Sequence, residues 1–333
     1  MMFLIYAKSI LKALINKCNR RNEAMNIIEQ SYSILEDDPD PVNQIARRAR
    51  LCYKSEPKTD EKPFLKRHSA HQPIFEMVVV SLLISDIKES DIQLITNLKE
   101  SKYITVSQTT KNDEVIVTGS IRAWKEFLTN HFNNDVAVIL KHYNKFLFSE
   151  FKTTTGIHRL PIAVINIDLK SDYLTPEDYK LHKHVAVHFI TNRAVSHELV
   201  RHRPCSFLQE SQRYCRYDQD KFGNEVTFIK PTAFFKDQTN EMQAWTQAME
   251  ESEYMYFKLL NMKNVTAQAA RTVLPNSCKT EIIVYCSLRQ WEHIFNRRTA
   301  SAAEPSMREL MIPLHKDFIK KYDLFNKPQR LVG

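Results

Sequence analysis

The sequence predicts an α+β fold, a mixed or antiparallel sheet beside long helices, and three observations lead there. KYITVSQ (102–108) and EVIVTG (114–119) alternate in polarity around Lys111, Asn112 and Asp113 and read as a hairpin. The last third turns helical in period over 239–263, 265–274 and 305–324, with Met307, Leu310, Met311, Leu314 and Phe318 forming an apolar stripe. The only four glycines, Gly119, Gly156, Gly223 and Gly333, stand far apart. Both the dinucleotide fingerprint and the P-loop need clustered glycines for close backbone approach to a phosphate, so any nucleotide bound here must be held by side chains.

Between these landmarks the elements follow in order. The start, MMFLIYAKSILKALINKCNRR, is apolar but interrupted by Lys8 and Lys12; it reads as an extension over 1–24, with the globular pattern beginning at Met25. Asp40 and Pro41 supply an N-cap and a first helical position for PVNQIARRARLCY, and SEPKTDEKP after it reads as a loop. IFEMVVVSLLIS (74–85) is a buried strand or helix, because an apolar run so short does not separate the two. Residues 120–150 suggest one or two helices, LPIAVINIDL (160–169) a strand, SDYLTPED a turn and HVAVHFIT (184–191) another strand. A helical period then runs through NRAVSHELVRH until Pro204, followed by irregular chain at SFLQESQRYCRY. One internal echo stands out: EVIVTGSIRAWKEFL (114–128) and EIIVYCSLRQWEHIF (281–295) share Glu, Ile, Val, Ser, Arg and Trp in register. It reads as a recurrent way of docking a Trp-bearing helix on a sheet or, more sharply, as a duplicated ligand-facing turn.

Composition bounds the function only loosely. At 333 residues, 43% hydrophobic and 26% charged, the chain can bury a sizeable core. Its net charge of +8 favours an anionic partner, although surplus surface lysine gives the same number. Six cysteines without a C-x-x-C pair indicate neither a disulfide scaffold nor a zinc ribbon, and a reducing cytoplasm fits them best.

The densest polar cluster is RHRPCSFLQESQRY (201–214), where Arg201, His202, Arg203 and Arg213 surround Ser206, Gln209 and Ser211. Guanidinium groups grip phosphate bidentately, and Ser, Gln and backbone N–H groups add neutral donors. Interleaved Phe207, Leu208 and Tyr214 argue against a merely solvated basic turn.

RHRPCSFLQES, with Ser211 at its end, resembles the signature of the flavin-dependent thymidylate synthases: Arg-His-Arg, a seven-residue spacer, then Ser. A second block, ARTVLPNSCKTEIIVYCSLRQWEHIFNRR (270–298), is similar to that family's C-terminal block, and HQPIFE keeps its spacing of His71 and Glu76. The matches span roughly 42–80 and 184–315, which implies one thymidylate synthase domain over 25–333 with that family's fold and an insertion at about 87–180. The resemblance implies an FAD enzyme that methylates dUMP to dTMP, with 5,10-methylenetetrahydrofolate as carbon donor and NADPH or NADH as reductant. It implies that Arg201, His202, Arg203, Gln209, Ser287, Arg289, His293, His71 and Pro73 contact FAD. It likewise places Glu198, Arg201, Ser211, Gln212, Arg213, Arg271 and Arg298 around dUMP, and a homotetramer with sites made by several subunits. Arg298 is the catalytic candidate, because uracil C5 becomes nucleophilic as negative charge develops over N3 and the carbonyl oxygens, and a fixed guanidinium stabilises that charge. The chain departs from the family pattern at Leu208, Ser287, Arg297 and Glu304, where Glu304 brings a negative charge.

Rival readings are a Cys205 nucleophile flanked by Arg203 and His202, a Ser211 nucleophile, a metal site of His182, His184 and His188 on one strand face, a basic nucleic-acid-binding protein, and an inactive family member. The sequence favours none of them: it has no nucleophile elbow, no metal motif and no nucleic-acid recognition motif, and it gives no membrane span.

Overall fold

The computed structural model describes residues 25–111, 113–154, 160–168, 173–213, 215, 217 and 225–322. The proposed extension over 1–24 lies outside them. Short strands β1 (Ile27–Ile28) and β2 (Ser31–Leu35) precede helix α1 (Pro41–Tyr53). Asp40 caps α1 as expected, its carboxylate accepting from the Val42 N–H at 2.9 Å, and Lys54 closes it in the left-handed region at φ 47°. Helix α2 (Lys62–Arg67) and a 3-10 turn (Gln72–Glu76) lead into β3 (Val79–Ile84), so the ambiguous apolar run is a strand. Helix α3 (Ile92–Glu100) precedes the expected hairpin, β4 (Ile104–Gln108) with β5 (Val115–Ser120). Two helices, α4 (Ile121–Asn130) and α5 (Asn134–Tyr143), and strand β6 (Ile162–Ile165) follow.

Helix α6 (Pro176–His182) takes the place of the expected turn, because Thr175 caps it through the Asp178 N–H at 3.1 Å. Strand β7 (His184–Asn192) feeds α7 (Arg193–Leu199), which ends before Pro204. SFLQ, read as irregular, is strand β8 (Ser206–Gln209), and β9 (Phe228–Ile229) comes next. Four residues are too few to show a period in sequence, and it is pairing with a distant strand that makes β8 a strand. Helices α8 (Asn240–Leu260) and α9 (Ala267–Ala270), strand β10 (Lys279–Ser287), and helices α10 (Leu288–Arg298) and α11 (Pro305–Lys321) complete the order.

By contacts the chain divides into two compact units. The larger, described over 31–211 and 280–322, holds two four-stranded sheets, ordered β4-β5-β3-β6 and β2-β7-β10-β8. Val80, Leu82 and Val117 of the first sheet bury with Trp124, Phe127 and Leu140. Val185, Val187, Phe189, Ile282 and Val284 of the second bury with Trp291, Phe295 and the apolar stripe of α11. Each tryptophan ties its helix to a strand: Trp124 Nε1 donates to the Val80 carbonyl and Trp291 Nε1 to the Val185 carbonyl, both at 3.0 Å. Ser120 and Ser287 cap those helices through the Ala123 and Gln290 N–H groups. In the smaller unit, described over 25–30 and 212–279, β1 pairs parallel with β9 and Tyr256, Phe257, Ala270 and Cys278 form the core.

Trp291→Phe keeps an aromatic ring but loses the indole N–H and leaves the buried Val185 carbonyl without its donor. Loss of about 1–3 kcal/mol in urea unfolding, with native far-ultraviolet circular dichroism, is the expected outcome.

Candidate functional site

The second sheet builds the site from its strand ends. At the end of β7, Asn192 caps α7 by accepting from the Val195 N–H at 2.8 Å. Helix α7 buries Val195, Ser196 and Leu199, leaves Glu198 half-buried on its other side, and releases the chain into the loop of Arg201, His202 and Arg203. Strand β8 then pairs antiparallel with β10, setting Gln209 opposite Ile282.

Three of the residues singled out in sequence meet here. Arg298, in the last turn of α10, donates from Nε to His202 Nε2 at 3.0 Å and from Nη1 to Glu198 Oε2 at 2.5 Å. A third, longer contact runs from Nη2 to the Glu198 carbonyl at 3.5 Å. Three of the five guanidinium N–H groups are thus directed, and two remain for another acceptor. To accept from Arg298, His202 must be neutral with its proton on Nδ1. Burial, then the Arg298 charge and His293, push its pKa down to about 4. The exposed His293 ring stands edge-on to it with centroids 6.3 Å apart. Arg201 and Arg203 are exposed, and no ion pair engages either among the described residues.

Behind the loop lies a polar layer in which Gln209, Ser211 and His188 were singled out in sequence but Ser196, Thr280, Lys54, Glu210 and Glu281 were missed. Gln209 Nε2 donates to Ser196 Oγ at 2.9 Å and to Thr280 Oγ1 at 3.1 Å, joining β8, α7 and β10. Lys54, just past α1, ion-pairs with Glu281 and lies 3.9 Å from the buried Glu210, and His188 Nε2 is 3.0 Å from Glu281. The Ser211 N–H donates to the Cys52 carbonyl at 3.1 Å, so the end of α1 holds the chain just past β8. A lone Glu210 inside an apolar and hydroxyl-rich stretch was the available signal, but its partners lie far away in sequence.

The other candidates make contacts of their own. Ser287 caps α10, and Arg289 Nη1 binds Glu177 at 2.9 Å and Glu292 at 3.0 Å on the surface. His71 contacts the Tyr53 hydroxyl at 3.1 Å, and half-buried Pro73 lies in the 3-10 turn that packs against β8. Burial, with His68 beside it, lowers the His71 pKa. In the smaller unit Gln212 donates to Cys278 at 3.6 Å, Arg213 to Gln268 at 3.1 Å, and half-buried Arg271 opens a 3-10 turn. Glu304 caps α11, accepting from the Met307 N–H at 2.7 Å, where the helix dipole favours its charge. The three histidines do not share a strand face: His182 ends α6 and binds Thr118, whereas His184 and His188 lie on β7. Among the described residues no group of three potential ligands could hold a metal, and no helix is long and apolar enough to cross a membrane.

Residues 172–322 match the family model described as thymidylate synthase complementing protein. The chain is similar to the flavin-dependent thymidylate synthase of Pyrococcus furiosus, 34% identical over 133 residues, or 40% of this chain and 53% of that protein. The Corynebacterium glutamicum protein of that name is 33% identical over 136 residues, 36% of this chain and 51% of its own length. That of Geobacter sulfurreducens is 35% identical over 123 residues, 37% and 50% of the two chains. The chain spans about half the length of the curated relatives it matches. Fold and site place it among α+β proteins with an Arg-His-Arg loop between a helix and an edge strand. Through residues 172–322 it is similar to the flavin-dependent thymidylate synthases.

His182, His184 and His202 each have a pKa near 4 in the fold against 6.5 ordinarily, burial being the first cause. Between those values the unfolded chain binds more protons, so stability falls as pH drops from about 6.5 towards 4. A lower Tm at pH 5 than at pH 7 checks this, with a shallower decline in His202→Gln, whose amide oxygen still accepts from Arg298 but does not titrate.

Proposed function

We propose that this chain is a flavin-dependent thymidylate synthase, an enzyme that methylates dUMP to dTMP with FAD, 5,10-methylenetetrahydrofolate as carbon donor and NADPH or NADH as reductant. The observation that carries the reading is two exposed arginines, Arg201 and Arg203, with no ion pair among the described residues, flanking the buried neutral His202 that holds Arg298. That donor set suits an anionic dinucleotide. Two planar cations can offset a pyrophosphate, and the proton on His202 Nδ1 is a neutral donor between them. When bound, FAD supplies the redox chemistry that links the nicotinamide to the carbon donor. His71, Pro73, Gln209, Ser287, Arg289 and His293 are the further residues we assign to it. Arg289 would exchange the exposed Glu177 for phosphate, which costs little, while Glu292 keeps its pair with Lys180.

The chain's own contribution to the methyl transfer is electrostatic. Glu198 and His202 hold the Arg298 guanidinium by three N–H groups, leaving two to meet negative charge as it grows on the uracil carbonyl and N3. Because the cation is already oriented, little reorganisation is needed when that charge appears. Glu198, Arg201 and Ser211 are the larger unit's further residues for dUMP. The active assembly is a homo-oligomer, a tetramer by the family resemblance.

Purified protein should show a flavin absorption band and convert dUMP to dTMP when given methylenetetrahydrofolate and NADPH. Arg298→Ala should keep the flavin and lower turnover by about 10²–10³-fold, the cost of removing one oriented donor from a transition state. A colourless protein that refuses added FAD and leaves dUMP unchanged would sink the assignment.

A further inference from the structure

The two sheets of the larger unit correspond strand for strand. β4-β5-β3-β6 matches β8-β10-β7-β2, and every neighbouring pair for which the register is known in both sheets is antiparallel. The register agrees as well. Counting back from the capping serines, Thr105 pairs with Thr118 as Ser206 pairs with Tyr285, and Gln108 with Val115 as Gln209 with Ile282. The Ile121 N–H donates to the Val78 carbonyl and Trp124 to Val80; the Leu288 N–H donates to Lys183 and Trp291 to Val185, the same step along the partner strand. At the fourth strand Ile84 faces Ile162 as Phe189 faces Tyr32. The sheet faces follow suit, Val80, Leu82 and Ile84 packing under Trp124 as Val185, Val187 and Phe189 pack under Trp291.

We infer that residues 77–165 are a second copy of the module that carries the candidate site, and that this copy has lost its nucleotide grip, so the chain presents one flavin-binding module. This rests on the proposed function for the nature of the ligand. The copy keeps what folds the module: the capping serine, the tryptophan and the strand register. It lacks what would hold an anion. Counted on from the same offsets, Glu100, Ser101 and Lys102 fall where the other module has Arg201, His202 and Arg203, and Asn130 and His131 where it has Arg297 and Arg298. Four arginines are thereby exchanged for one lysine and one opposing carboxylate. Arg122 stands in the place of Arg289 and, like it, is held by two carboxylates, Glu76 at 2.7 Å and Glu126 at 2.8 Å, so the arginine at this position does not distinguish the modules. A face whose formal charges cancel cannot offset a pyrophosphate.

The test is FAD titration of the full chain and of surface variants in each module. One FAD per chain is expected, with Lys102→Ala and Gln108→Ala unchanged in affinity and dTMP formation, and Arg203→Ala weaker by about tenfold or more. Two FAD per chain, or loss of flavin in Lys102→Ala or Gln108→Ala with native circular dichroism, overturns the silent copy while leaving the synthase assignment intact. Failure of every form to take FAD overturns both.

Discussion

The hydrogen bond from the Trp291 indole to the Val185 carbonyl sets the pose of α10, and the arrangement of the site follows from that pose. The Leu288 N–H holds the helix start to Lys183 at 2.8 Å, and Ser287 caps it. An α-helix rises about 1.5 Å per residue as a stiff rod, so anchoring the first turns fixes where the last turn points. Arg298 lies in that last turn and is delivered to Glu198 and His202, which hang from the next strand over. The guanidinium is positioned by elements rather than by a loop, which favours directional electrostatic work.

A chain with four scattered glycines cannot wrap backbone around phosphate, and cationic side chains must then crowd together. That crowding is tolerable because His202 stays neutral among Arg201, Arg203 and Arg298, and because Glu198 takes up part of the Arg298 charge. Behind them Lys54 performs the converse service, meeting Glu281 and lying near Glu210 where unpaired carboxylates would be costly.

Much of this was legible in the residues. Asp40 before Pro41 marked α1, the hairpin alternated as hairpins do, and the Arg-His-Arg spacing with Arg298 marked the loop and helix end that meet. What stayed hidden depends on long-range partners. β8 is a strand because β10 is beside it, α6 hinged on one threonine cap, and the Lys54, Glu210 and Glu281 grouping joins three remote parts of the chain. The echo around Trp124 and Trp291 was visible where side-chain identity persists. Elsewhere the likeness of the two sheets survives only in backbone pairing, which a sequence does not display.

The two sheets differ in where their fourth strand comes from. β6 follows the strands it completes within one continuous stretch, whereas β2 lies far upstream of β7, with the whole first sheet emerging in between. Local closure is quick and distant closure slow, so during synthesis the first sheet can fasten itself while β2 waits for β7 to leave the ribosome. The first sheet would thus act as the early nucleus, and the sheet that carries the candidate site becomes the last to close.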